Sequence, residues 1–123
     1  MKSALSAGAL LLAIVCLSLF EINYMERTVD ALLTQVAQIS ENHQNPAVLE
    51  EIDRLEEAWQ KHEGVFCTVM RHNELNEIGL VIKRMRILSA DGQEAAFLLE
   101  AERLRGLLGQ IRDGERVHIR NLL

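Results

Sequence analysis

Residues 59–85 read WQKHEGVFCTVMRHNELNEIGLVIKRM, and this stretch decides the fold. Its first half continues a series of apolar residues at a helical spacing of three and four, which passes through Trp59 and Phe66. On an unbroken helix the same face would next carry asparagine and lysine side chains, whereas a new apolar series starts at Leu75, two residues out of phase. This shift predicts a turn or strong bend near residues 72–73, so that two helices form a hairpin.

The charges on either side of the turn favour the hairpin. Residues 50–63 hold six acidic and two basic residues, and the end of the third predicted helix carries Lys83, Arg84 and Arg86. A continuous helix would hold these groups about 45 Å apart at a rise of about 1.5 Å per residue, far beyond the screening length of roughly 8–10 Å. An antiparallel hairpin places them side by side instead.

The flanking sequence predicts further helices by the same spacing. Apolar residues step by three and four over residues 22–39, and Asn45 and Pro46 are expected as the N-cap and the first position of the second helix. Residues 89–92 form the next break, and residues 113–114 are expected to close the fourth helix. The predicted helices are 23–42, 46–71, 74–89 and 92–112, with a short C-terminal turn or helix at 115–122.

An N-terminal apolar run completes the predicted architecture. Residues 3–20, SALSAGALLLAIVCLSLF, contain no charge and are about 27 Å long as a helix, close to a hydrocarbon core of about 30 Å. A cleaved signal, a lipoprotein signal and an uncleaved anchor all have such a run. Cys16 follows branched residues instead of a small one, and the run ends in large residues, so we predict an uncleaved anchor at 1–22 and a helical domain at 23–123. The predicted fold is all-α: an N-terminal transmembrane helix that continues into a four-helix antiparallel domain of two hairpins.

The flanking charges predict how this anchor is oriented. Lys2 and the amino terminus precede the span, while Glu21, Glu26 and Arg27 follow it, so the N-terminal side is the positive one and should remain cytoplasmic. The helical domain is then expected on the extracytoplasmic face of the cell membrane. The small residues Ala4 and Gly8, and likewise Ala9 and Ala13, have the four-residue spacing of helix-dimer motifs, which makes a homodimer a candidate assembly.

Charge is distributed unevenly along the 123 residues. All 18 acidic residues and 12 of the 13 basic residues follow Phe20, which gives this part of the chain a net charge of −6. A polyanion would be repelled, so nucleic acid is excluded as a partner. The expected partners are the membrane lipid bilayer and another membrane protein.

The two cysteines are predicted to lie in different environments. Cys16 falls inside the membrane run and Cys67 in the polar domain, so the two are too far apart for an intramolecular disulfide. Cys67 is expected to be a small buried residue or a free thiol.

Several segments of the chain resemble a known family. They are Trp59 with Phe66, the segment MRHNELNEI at 70–78, the turn at 90–92 and the closing IRDGERVHIRNLL at 111–123. Together with the KRM segment between them, they resemble the bacterial family of domains of unknown function numbered 4363. Members of that family are small single-pass membrane-anchored helical proteins.

This chain departs from the family pattern at three positions. Arg71, Asn76 and Phe66 stand where the family commonly has an aspartate, a second aspartate and a tryptophan. The resemblance implies one membrane helix followed by a helical domain, and it brings no established activity. The predicted family-motif and core residues are Trp59, His62, Phe66, His72, Glu74, Leu75 and Ile78.

Few residues could carry chemistry. Cys67 and four histidines are the soft ligands outside the membrane run, and the sequence contains no CxxC, HExxH or glycine-rich phosphate loop. We therefore predict no enzyme activity, no cofactor, and no catalytic or metal-binding residues. A metal site, the alternative, would require His62 and His72 to converge with Glu63 or Glu74.

The same side chains also have structural interpretations. Trp59 and Phe66 are seven residues apart on one helix face and are expected in the core instead of forming a ligand-binding pair. We expect His62 to form a hydrogen bond across the apolar seam. His72 is expected to cap the third helix or to hold the turn through Glu74.

These observations favour one function over another. They describe an uncharacterised membrane-anchored helical protein that acts as a non-catalytic protein-interaction module on the extracytoplasmic face. The alternative is an extracytoplasmic helical domain that senses a metal or a ligand.

Overall fold

The computed structural model describes residues 2–67 and 71–122, of which 114–122 are described by their backbone alone. Four helices make up the fold: α1 (Lys2–Glu41), α2 (Val48–Phe66), α3 (His72–Ala90) and α4 (Glu94–Leu122). The described residues contain no strand. The predicted all-α architecture, an apolar first helix that continues into a helical domain, is therefore confirmed.

The first helix runs without a break from the apolar segment into the domain. Its residues 3–21 are exposed and lie outside the packed part of the molecule. From Met25 onward, side chains at a spacing of three and four are buried, as the sequence predicts. By length and composition this helix could cross a membrane, and none of its apolar segment is buried against the rest of the chain. A signal sequence near the N-terminus has the same properties.

The four helices form an antiparallel bundle in which chain neighbours are also spatial neighbours. Helix α2 packs on α1, α3 on α2, and α4 on α3, and α4 also packs against α1 to close the bundle. The Arg112 guanidinium donates a hydrogen bond of 2.9 Å to the Asp30 carboxylate across the α1–α4 contact. We call the end of the bundle next to residues 3–20 the anchor end. The opposite end, which contains the α1–α2 and α3–α4 turns, is the far end.

Each helix contributes an apolar stripe to one common core. The positions that the spacing predicts in α1, α3 and α4 are buried, apart from the partly exposed Ile22. Val48, Thr28 and Val81 are buried in addition, while Val69, predicted to continue the α2 stripe, lies outside the described residues. The core residues are Met25, Val29, Leu32, Val36, Ile39, Val48, Ile52, Leu55, Trp59, Phe66, Leu75, Ile78, Val81, Ile82, Met85, Phe97, Ala101, Leu104, Leu108 and Ile111.

One of the three basic residues predicted to face the acids across the hairpin pairs with them. The Arg86 guanidinium near the end of α3 donates a hydrogen bond of 2.9 Å to Asp53 and also pairs with Glu56, both near the start of α2. These carboxylates and the desolvation of the guanidinium act in opposite directions on the pKa of Arg86, and the net shift is upward. Lys83 and Arg84 are exposed and are not in the last turn of α3.

The start of α2 differs from the sequence prediction. Asn45 is not the N-cap and Pro46 is not in the helix, because α2 begins at Val48 with Ala47 as its N-cap. The Asn45 side-chain oxygen instead accepts a hydrogen bond of 3.0 Å from the Ala47 amide, and the Asn45 carbonyl accepts one from Val48. Asparagine therefore builds a local turn before the helix, an alternative to capping that short polar side chains offer.

The end of α4 also differs from the prediction. The expected break at Asp113 and Gly114 is absent, and the backbone remains helical to Leu122. Glycine inside a helix costs only about 1 kcal/mol relative to alanine, and no proline follows to enforce a stop. The predicted break at 89–92 is present, because Gly92 has a φ of +71°. There the Gln93 amide bonds to the Leu88 carbonyl and the Gly92 amide to the Ser89 carbonyl, the pattern of a Schellman motif.

Candidate functional site

The aromatic pair of α2 is part of the core. Trp59 and Phe66 are 2% and 0% exposed, and their rings stack with centroids 5.5 Å apart at an interplanar angle of 21°. Leu75 and Ile78 on α3 are buried in the same cluster. Only an edge of Trp59 borders an opening between α2 and α3, and the stacked faces of the two rings are buried, which agrees with the core interpretation of these residues.

His62 forms the hydrogen bond across the seam that the sequence predicts, and its partner is Tyr24. The phenol oxygen of Tyr24 lies 2.5 Å from Nδ1 of His62, and the two rings meet edge to face. Desolvation, followed by the charge of Lys61, lowers the pKa of His62. A lowered pKa favours the neutral ring, in which one nitrogen carries a proton and the other accepts, and the tautomer sets which partner donates in the Tyr24–His62 hydrogen bond.

The remaining family-motif residues are on the surface at the anchor end. His72 and Glu74 are exposed in the first turn of α3, whose N-cap is Arg71 without a side-chain hydrogen bond, so His72 does not cap the helix. Cys67 is exposed, which excludes the expectation that it is buried. Among the residues whose side chains are described, no three histidine, cysteine, aspartate or glutamate residues are placed to hold a metal ion. The residues of the metal alternative are thus not brought together.

A second histidine joins the two turns at the far end. His43 Nδ1 lies 2.8 Å from the Ser40 carbonyl, and Nε2 pairs with the Glu94 carboxylate at the start of α4. The backbone carbonyl and then Glu94 raise the pKa of His43, because both accept hydrogen bonds from the protonated ring. The same contact lowers the pKa of Glu94. The pair fastens the α1–α2 turn to the beginning of α4.

An open groove lies between α1 and α2 at the anchor end. This α1–α2 groove has a volume of about 490 Å³, within the range of 300–1,000 Å³ that is ordinary for ligand sites. It extends along α1 from Phe20 and is bordered on α2 by Ala58 and His62. Its lining residues are Phe20, Asn23, Tyr24, Arg27, Thr28, Ala31, Leu32, Gln35, Ala58 and His62.

A second surface stands out on α3. Leu80 and Ile87 are 50% and 60% exposed and lie seven residues apart, on the same side of the helix. Lys83 and Arg84 are exposed between them, and neither forms an ion pair with a side chain in the described part of the protein. We call these four residues the α3 outer face.

Sequence reasoning missed both surfaces, although each leaves a signal. Phe20, Tyr24, Ala31 and Gln35 recur at helical spacing beside the buried stripe of α1 and mark a second stripe that borders α2. Leu80 and Ile87 are apolar residues that do not follow the buried series of α3. Neither pattern indicates by itself whether another helix covers it.

Comparison with known families identifies one match. The sequence model of a family described as a domain of unknown function, DUF4363, matches residues 17–122. The match includes the whole helical bundle and the last residues of the apolar run. No curated protein and no solved structure matches the chain.

Proposed function

The chain belongs to the DUF4363 family of domains of unknown function, and we propose that it is a membrane-anchored, non-catalytic module that binds another membrane protein. Residues 3–20 anchor it as an uncleaved single-pass helix, and the bundle lies on the extracytoplasmic face. The α3 outer face is the surface that contacts the partner. These three statements can be tested separately.

The α3 outer face is the observation that carries the proposal. Leu80 and Ile87 expose apolar side chains that the bundle does not need for its own core. Two apolar anchors at this spacing are suited to an amphipathic helix laid along α3. Arg86, by contrast, is held by carboxylates of α2, so that Lys83 and Arg84 provide the free positive charge of this face.

Charge indicates the chemistry of the partner. The chain after Phe20 carries a net charge of −6, so the positive charge of the α3 outer face is a local exception. An acidic partner would be attracted to the α3 outer face and repelled by the rest of the surface, which favours one docking orientation. We therefore expect an amphipathic helix with acidic residues beside its apolar stripe, carried by another protein of the same membrane.

Site-specific photo-crosslinking in intact cells tests this surface. A photoreactive phenylalanine analogue placed at Ile87 should give one discrete adduct with a membrane protein, because the side chain is exposed on the proposed contact. The matched control is the same analogue at Leu99, which is 71% exposed on α4 and outside the proposed contact. Reversing the charges with Lys83→Glu and Arg84→Glu should abolish the adduct at Ile87. Equal adducts at both positions, or an adduct that survives the charge reversal, would refute the assignment.

Labelling of Cys67 tests the orientation. This thiol is exposed at the anchor end, so a membrane-impermeant maleimide should modify it in intact cells if the bundle is extracytoplasmic. Cys67→Ser serves as the control and should remove the label. Labelling that appears only after the cells are broken open would place the bundle on the cytoplasmic side.

A further inference from the structure

We infer that the α1–α2 groove is a binding site for one anionic phospholipid, with the acyl chains beginning at Phe20 and the headgroup phosphate held by Arg27. This inference rests on the proposed function, because the groove meets lipid only if residues 3–20 lie in a bilayer. It assigns a separate site from the α3 outer face, on the opposite side of α2. Four observations support it.

The position of the groove along α1 matches the depth of a lipid headgroup. Phe20 is the last residue of the uncharged run and is 70% exposed at the start of the groove. Arg27 lies seven residues further along the same helix, which is about 10 Å at 1.5 Å per residue. The headgroup layer on each side of a hydrocarbon core is roughly 5–8 Å thick. The guanidinium can therefore reach the phosphate of a lipid that remains in its own leaflet.

The residues that line the groove change from aromatic at the membrane end to polar and charged further along α1, as a phospholipid changes from acyl chains to headgroup. Phe20 and the Tyr24 ring stand at the membrane end, where aromatic side chains favour the interface. Asn23 lies between these two rings along α1 and Arg27 lies beyond them, and the two offer an amide and a guanidinium to the headgroup. Beyond Arg27 the groove is bordered by Ala31, Leu32 and Gln35. Among the described residues that line the groove, Arg27 alone is an arginine, lysine, aspartate or glutamate.

Charge at the groove favours an anion. Arg27 is exposed and forms no ion pair with any side chain that the structure describes. Asp30 is paired with Arg112 on the α4 side of α1, and none of the acidic residues of α1 lines the groove. A guanidinium with free donors binds a phosphate through two parallel hydrogen bonds.

His62 lines the same groove and contacts Tyr24 through Nδ1. In the tautomer in which Nδ1 accepts from the Tyr24 hydroxyl, Nε2–H can donate to an oxygen of the ligand. The contact also holds the Tyr24 ring against α2, so the wall of the groove is in place before a ligand binds. A preorganised wall lowers the entropy lost on binding.

Native mass spectrometry of the full chain tests the site. The protein is reconstituted into nanodiscs with equal amounts of phosphatidylglycerol and phosphatidylcholine, released into mild detergent, and examined for retained lipid. We expect one retained phospholipid per chain, enriched in phosphatidylglycerol. Arg27→Gln should reduce retained phosphatidylglycerol by about tenfold, which is typical of one charge-assisted phosphate contact.

Arg71→Gln is the matched control. Arg71 is also exposed at the anchor end but does not line the groove, so its loss removes the same charge from the same region. It should change lipid retention by less than about twofold. Equal losses for Arg27→Gln and Arg71→Gln would show general attraction to an anionic surface and would overturn the site.

A second variant tests whether the headgroup occupies the groove, because Ala31 lines it one turn beyond Arg27. Ala31→Trp fills the groove from an exposed helical position and should lower retention of both lipids with no change in Tm. Retention that is unaffected by Ala31→Trp would overturn the inference. Millimolar glycerophosphate, a headgroup without acyl chains, should not displace the lipid. Displacement by it would mean that the site recognises phosphate alone.

Flotation with vesicles of the same lipids separates this inference from the proposed function. Wild type and Arg27→Gln should both float, because the anchor is unchanged. A wild-type chain that does not float would defeat the proposed membrane function. A chain that floats and retains no phosphatidylglycerol would defeat the lipid site alone.

Discussion

Truncation of Phe66 should strongly destabilise the bundle. Phe66 is the last residue of α2, is completely buried, and stacks on Trp59 with ring centroids 5.5 Å apart. Replacing a buried phenylalanine by alanine costs about 3–5 kcal/mol, which combines lost burial with the cavity that remains. The aromatic stack accounts for about 0.5–1.5 kcal/mol of this cost. For a domain of about 100 residues, the loss corresponds to a fall in Tm of roughly 15–25 °C.

Denaturant unfolding of the full chain in mild detergent measures this loss. Trp59 is the sole tryptophan of the protein, so its fluorescence reports the packing of this cluster, and far-UV circular dichroism reports the helices. Phe66→Leu keeps most of the apolar volume and should lose less than half as much stability. Leu99→Ala, an apolar truncation at a 71% exposed position, should change the free energy of unfolding by less than about 0.5 kcal/mol.

The size of the loss distinguishes the two interpretations of the aromatic pair. A ligand-binding pair on the surface could be truncated with little effect on stability. If Phe66→Ala costs less than about 1 kcal/mol, or no more than Leu99→Ala, then the argument that the pair is needed as core is refuted. A large loss that both probes report together would support it.

Other perturbations have smaller expected effects. Arg86→Met should lower the free energy of unfolding by about 1 kcal/mol in urea, and the loss should shrink in molar salt, because its carboxylate partners are partly solvated. Gly106→Ala should raise stability by about 0.5–1 kcal/mol, since its added methyl group meets nothing within 4 Å, whereas Gly92→Ala should lower it by about 1–2 kcal/mol because of its positive φ; thermal melts measure both. His43→Gln should remove a stabilisation that is present below the ordinary histidine pKa of about 6.5 and is lost as the pH rises through the raised pKa of His43. Glu94 stays ionised in this range because its own pKa is lowered. The Tm values of wild type and His43→Gln should therefore converge at alkaline pH, and a gap that widens with pH would contradict the assigned pair.

Much of the fold could be predicted because helical periodicity and charge are both local properties of the chain. The series from Met25 to Ile39 is buried as its spacing predicts. The phase shift between Phe66 and Leu75 marks a change of helix, and the acidic and basic ends of that hairpin meet at Arg86. For the hairpin the sequence carries two independent signals, apolar spacing and charge, that favour the same arrangement.

Helix ends were harder to predict because competing local structures differ by only about 1 kcal/mol. Asn45 can cap a helix or build the turn before it, and either choice satisfies an amide. Gly114 can end a helix or remain inside it at a small cost. The helix break at Gly92 was predicted correctly because its turn requires a left-handed backbone that other residues rarely adopt.

The sequence by itself determined which face of each helix is apolar, where the chain reverses, and that an apolar run precedes an acidic domain. Only the tertiary structure decided that Tyr24 meets His62, that a groove remains open between α1 and α2, and that Leu80 and Ile87 stay exposed. The physical reason is that a stripe depends on spacing within one helix. A groove, an exposed face or a contact over 38 residues depends on how two helices are rotated against each other, and no local pattern encodes that rotation.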